Sequence, residues 1–182
     1  LSLSGTAATG APIANAQVLF RCNSTTAIVS ASATTDASGL YSKTINDAAY
    51  PCLLQVTDSS GNTFHSYANA DGQAHITPLT DAVLAAALGQ QDLAAIFTDF
   101  GGTQLQALQS VIEQDKLTSA WSQVKSQLQA AGVDVSAVTN NPFSDSYSDN
   151  SNNSNSNNSN SNNNSNSEGA AAKKSRTDTT TT

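Results

Sequence analysis

Methionine is missing from this chain of 182 residues, and charge and aromatic rings are scarce, at 12% and 5%. A nascent chain starts with methionine, so residue 1 is expected to lie downstream of a removed signal peptide or of the rest of a longer chain. With so little charge, Ser, Thr, Asn and Gln must make the surface polar, as they often do in secreted and cell-surface proteins. The charge that exists is acidic: the net value is −7, with four Lys/Arg against ten Asp/Glu before residue 143. Such a field repels phosphate backbones and argues against nucleic acid as a partner. No apolar run approaches the roughly 20 residues of a membrane-spanning helix, so no transmembrane segment is expected. The chain also lacks a phosphate-binding glycine loop, a Gly-x-Ser-x-Gly elbow and paired acids on one element. Asp36 to Gly39 and Asp58 to Asn62 resemble fragments of calcium loops but lack the following acidic ligand. Neither catalysis nor a cofactor is therefore expected.

Cysteine is limited to Cys22 and Cys52. Between them runs Thr34-Thr-Asp-Ala-Ser-Gly-Leu-Tyr41, where Asp36 can bond its own backbone two residues on and Gly39 can take a positive φ. The spacing predicts a hairpin of two antiparallel strands here. One cysteine closes the strand before it and the other opens the strand after it. Two alternatives stand: a structural disulfide, or two separate buried thiols. A bridge would close a loop of about thirty residues and contribute roughly 3 to 4 kcal/mol, which implies an oxidising compartment.

Alternation of apolar and polar residues predicts seven short strands within residues 1–77: at Leu1 and Leu3, then about 16–22, 26–34, 40–45, 52–57, 63–68 and 73–77. Asp36 to Gly39, Asp47 with Pro51, Asp58 to Asn62 and Asp71-Gly72 punctuate them. No helix-length crossover separates the strands, so an antiparallel sandwich is expected. Val18, Phe20 and Cys22 share one face, as do Cys52, Leu54 and Val56. Lys43 falls in phase with Tyr41 and Ile45, so a bulge or an edge position is expected there.

Gly5, Gly10-Ala-Pro12, Ala16-Gln-Val18 and Asp36-Ala-Ser-Gly39-Leu-Tyr41 together resemble the carboxypeptidase-regulatory-like, prealbumin-like (Ig-like) β-sandwich. The run around His65-Ser66 and Ala74 to Thr80 is similar to secreted bacterial envelope proteins, often lipoproteins, that carry this module near the N-terminus. The resemblance covers about residues 3–89. It implies a non-catalytic module and supplies no active-site residues. The residues in hand show no lipid-acceptor cysteine ahead of the module, which leaves membrane anchoring open, and the Asn/Ser tail is not part of the pattern.

Thr77-Pro78 reads as a helix start and Gly89 as its stop. Leu93, Ile96, Phe97 and Phe100 form one apolar face before Gly101-Gly102. Thr103 with Gln106 predicts a capping box, Leu105, Leu108 and Ile112 a second stripe, and Leu117, Trp121, Val124 and Leu128 a third, ending at Gly132. These four amphipathic helices, residues 78–142, are expected to pack on the sandwich rather than on a membrane, because their polar faces carry few cations. Residues 143–182 read as a disordered tail, entirely Asn and Ser from 150 to 167. Lys173-Lys174-Ser175-Arg176 is its small basic cluster, and Asn23, Asn152, Asn157 and Asn163 begin glycosylation triplets.

Few residues stand out as site candidates. His65 and His75 fall on neighbouring predicted strands but offer two ligands where a metal needs more, so packed strand histidines are the simpler reading. Tyr41, Tyr50, Phe64 and Tyr67 are the aromatics that a sugar-binding face would use. The leading functional expectation is a structural or adhesive extracellular module of the bacterial cell envelope. Its partners would be other surface proteins or copies of itself, assembled into a filament or sheath by strand addition. A carbohydrate- or ligand-binding module and an accessory domain of a secreted hydrolase are the alternatives.

Overall fold

Hydrophobic alternation resolves into two sheets in the computed structural model, which describes residues 1–136, 138 and 141–144. The strands are β1 (Ser2–Thr6), β2 (Gln17–Asn23), β3 (Val29–Thr34), β4 (Leu40–Thr44), β5 (Ala49–Thr57), β6 (Thr63–Ala68) and β7 (Gly72–Gln73). One sheet has the order β4-β1-β7 and the other β3-β2-β5-β6. Leu3, Tyr41, Ile45 and Ile76 from the first meet Val18, Phe20, Leu54 and Val56 from the second in one buried cluster. Cys22 and Cys52 lie in that cluster, fully buried and directly opposite each other on β2 and β5, with sulfurs 2.06 Å apart. The covalent link thus joins neighbouring strands of one sheet.

Two expectations are corrected. Residues 34–41 do not form a hairpin, because β3 and β4 belong to different sheets. The turn itself is as read: Asp36 Oδ1 accepts from the N–H groups of Ser38 and Leu40, and Gly39 has φ 75°. What redirects the chain is packing. The Thr35 hydroxyl is tied to Ile13 O and Ala16 N, and Tyr41 packs edge-on against Phe20 of the opposite sheet. β4 therefore crosses over and pairs with β1. The second correction is that the sheets are not purely antiparallel: β1 and β7 run parallel, and the bridge between Ala7 and Ile76 extends that pairing.

β5 begins earlier than expected, with Pro51 inside it. The ladder to β2 shifts register between Cys22 and Asn23, so Tyr50 and Pro51 sit in the irregularity where a missing N–H costs nothing. Lys43 lies on β4, an edge strand, as its phase required.

Four helices follow: α1 (Pro78–Ala87), α2 (Leu93–Thr98), α3 (Gly102–Glu113) and α4 (Lys116–Ala130). Thr77 and Thr80 form a reciprocal capping box at α1. The box expected at Thr103 and Gln106 is absent, since the N-cap of α3 falls two residues earlier, at Gly101, which has no side chain to supply a cap. The helices cover the outer face of the four-stranded sheet: Leu53 joins Val83, Leu84, Ile96, Phe97, Leu108 and Trp121 in a second buried cluster. Leu53 and Leu54 are both fully buried because β5 has a core on each side. Sheets and helices belong to one compact unit. Phe143, placed in the tail by its sequence position, is buried in the helical cluster. The rest of the expected tail, with Lys173 to Arg176 and the triplets at Asn152, Asn157 and Asn163, lies outside the described residues.

Candidate functional site

Two stacked sheets present four strand edges, and a free edge is a template for another strand unless something blocks it. The edges of β6 and β7 lie on one side of the stack. Hydrogen bonding from β5 leaves His65 with its N–H and C=O pointing outward, and α1 takes both: Asp81 Oδ1 accepts the N–H at 2.9 Å, and Thr80 Oγ1 donates to the carbonyl at 2.9 Å. Beyond β7, the His75 N–H donates to Phe143 O at 2.6 Å, while the Phe143 ring packs edge-on against Tyr67 of β6 at 4.6 Å. One residue near the C-terminal end of the described chain thus covers both sheets on this side.

The opposite side carries the edges of β4 and β3. Leu1 and Ile45 exchange both backbone bonds, so by alternation Leu40, Ser42 and Thr44 turn theirs away from β1. Asp36 satisfies both groups of Leu40. Lys43 shares the side of β4 that carries the buried Tyr41 and Ile45 but is itself only half-buried, a charged side chain on an edge strand that discourages an added strand. β3 has no such device. Thr35 N bonds Ala16 O, so Ser30, Ser32 and Thr34 direct their N–H and C=O groups away from β2, and among the described residues nothing meets them. Its sequence Val-Ser-Ala-Ser-Ala-Thr holds no charge and no proline. On its core-facing side Val29, Ala31 and Ala33 are only partly buried.

A cleft of about 200 Å³ opens elsewhere, between Tyr67, Asp115, Thr118, Trp121, Asn141 and Phe143. Asp115 stands there in the left-handed region at φ 51°, and its carboxylate accepts from the Thr118 hydroxyl at 2.7 Å. Burial, helped by the Asp115 charge, pushes the Tyr67 phenol up. Trp121 and Phe143 are buried, which leaves the half-buried Tyr67 as the one partly open aromatic among the described residues lining the cleft.

The sugar-binding candidates do not converge. Tyr41 is in the core with its hydroxyl on Ala74 O, Phe64 packs into the same core, and Tyr50 holds Asp71 at 2.5 Å. That hydroxyl and the Ser2 N–H keep the Asp71 carboxyl below its usual range. The histidines are separated as well, since β6 and β7 lie in different sheets. His65 Nδ1 sits 2.7 Å from Asp81 Oδ1, and His75 Nδ1 accepts from Thr6 N. Among the described residues no group of three His, Cys, Asp or Glu could share a metal ion. His65 Nε2 and Ser66 Oγ are buried without a hydrogen-bond partner among the described residues. Asn23, the one glycosylation-triplet asparagine among the described residues, donates its amide to Tyr50 O.

Sequence reading passed over Asp81, Thr80 and Phe143, which seal the covered side, and over β3 as the exposed edge. The Asp at the start of α1 was visible as a helix-start residue, but nothing local shows that it reaches a strand. No family model, curated protein or solved structure matches the chain.

Proposed function

We propose that this chain is a non-catalytic structural module of the bacterial cell envelope, held outside the cell, which joins a neighbouring chain by taking a strand onto the β3 edge. The observation that carries this reading is the asymmetry of the four edges: α1 and Phe143 close two, Lys43 and Asp36 guard the third, and among the described residues nothing guards β3. Backbone bonds would supply the affinity, and the alternate small side chains of β3 would leave room for a partner. The buried Cys22–Cys52 link fits an oxidising compartment.

The fold we propose is the prealbumin-like sandwich of the carboxypeptidase-regulatory type. Its glycines have physical work in this chain. A Cβ on Gly5 would come within 2.3 Å of Ala74 O, and one on Gly39 within 2.5 Å of Ala7 O. Those positions serve the crossing of strands rather than chemistry, which favours the non-catalytic reading.

Hydrogen exchange on surface material from the source cells tests the proposal. The amides of Ser30, Ser32 and Thr34 should exchange slowly in the assembled state and fast in the isolated monomer. Fast exchange in both states would remove strand addition at β3.

A further inference from the structure

We infer that the strand added to β3 is β3 of a second copy, paired antiparallel about a two-fold axis at Ser32. This rests on the strand-addition reading above and specifies its partner. A two-fold interface must be self-complementary, each residue meeting its counterpart from the other copy. β3 meets that condition in both backbone and side chains.

Bond exchange in an added antiparallel strand requires residues whose N–H and C=O face outward on both sides. On β3 those are Ser30, Ser32 and Thr34. Only the register that sets Ser32 against Ser32 uses all three, because it also sets Ser30 against Thr34 in both directions. A shift of one residue would place inward-facing groups in the seam and send the side chains to the wrong faces. A shift of two would leave one outward residue of each copy unmatched.

Side chains agree with the same register. It sets Ala31 of one copy against Ala33 of the other on the core-facing side, where both are only partly covered. The other face carries Ser30, Ser32 and Thr34, small enough for close approach and without charge to repel its own copy. The paired sheets would run continuously through both molecules. Lys43 keeps β4 out of the seam, so one sheet is extended and the other is not.

Cross-linking of the full chain tests this directly. Both native cysteines are engaged with each other, so a Ser32→Cys variant introduces the single free thiol. Mild oxidation should give a covalent dimer with Ser32→Cys and none with Ser42→Cys on the β4 edge. In sedimentation over a wide concentration range, the unmodified chain should dimerise. Ser32→Pro, which removes only an outward N–H, should abolish the dimer, and Ser32→Lys provides the same block without a proline. A dimer that survives both variants, or an unmodified chain that stays monomeric, overturns the two-fold pairing. If the chain is monomeric while surface material still protects the Ser32 amide, the added strand comes from a different protein and strand addition stands. If dimers form with that amide exposed, strand addition at β3 falls too.

Discussion

The Asp81 carboxylate holds His65 twice, accepting from its backbone N–H at 2.9 Å and standing 2.7 Å from its ring Nδ1. A helix side chain thereby occupies the place of a missing fifth strand beside β6. Control of the β6 edge is therefore a property of side chains on α1, and it can be removed without touching the sheet.

Asp81→Ala should expose the β6 edge. The orphaned His65 N–H costs about 1 to 3 kcal/mol, read as a lower urea midpoint. Asp81→Asn keeps an acceptor oxygen at the same place and should lose less. A midpoint unchanged in the alanine variant would show that α1 does not seal the edge.

Oxidation of the cysteine pair is open to a chemical test. Protein from its source, unfolded without reductant, should take up no alkylating reagent, and should take up two equivalents after reduction. Replacing both cysteines by alanine should cost roughly 3 to 4 kcal/mol, because the closed loop restricts the unfolded chain. Labelling without reductant would remove the bridge and the oxidising compartment together.

Burial pushes the Tyr41 phenol above its ordinary value near 10. As pH rises, the unfolded chain releases this proton before the native one does. The native state's advantage is thus whole below about pH 10 and declines above it. Tyr41→Phe should cost about 1 kcal/mol at neutral pH, through the lost bond to Ala74 O, yet flatten the alkaline decline. A residual slope is expected from Tyr67, whose phenol is raised as well. Urea midpoints near neutral pH and above about pH 10 would show both effects. Parallel curves for the two proteins would contradict them.

Phe143→Ala should destabilise by about 3 to 5 kcal/mol, the usual cost of emptying a buried aromatic site. A thermal midpoint within error of the unmodified chain would mean that residue 143 belongs to the tail after all.

Much of the fold was legible locally. The 16–22 strand, the Asp36 to Gly39 turn and the Thr77-Pro78 helix start each follow from interactions within a few residues. The same holds for the shared inward face of Cys22 and Cys52, fixed by two-residue alternation once each strand is granted. Alternation placed Leu54 on the core face and left Leu53 unassigned, because the cover on the second face of β5 comes from helices distant in sequence. The Thr103 box failed because backbone geometry at Gly101 set the helix start before a side chain could.

Sequence by itself determined which residues face a core, where the chain turns and which cysteines can meet, because these depend on side-chain period and short-range bonds. Tertiary structure alone decided that β3 and β4 part company, that β7 lies parallel to β1 and that α1 rather than a strand borders β6. A strand's outward N–H and C=O are the same whatever its neighbours. Which of them remains unpaired is settled only when distant segments compete for the same edge.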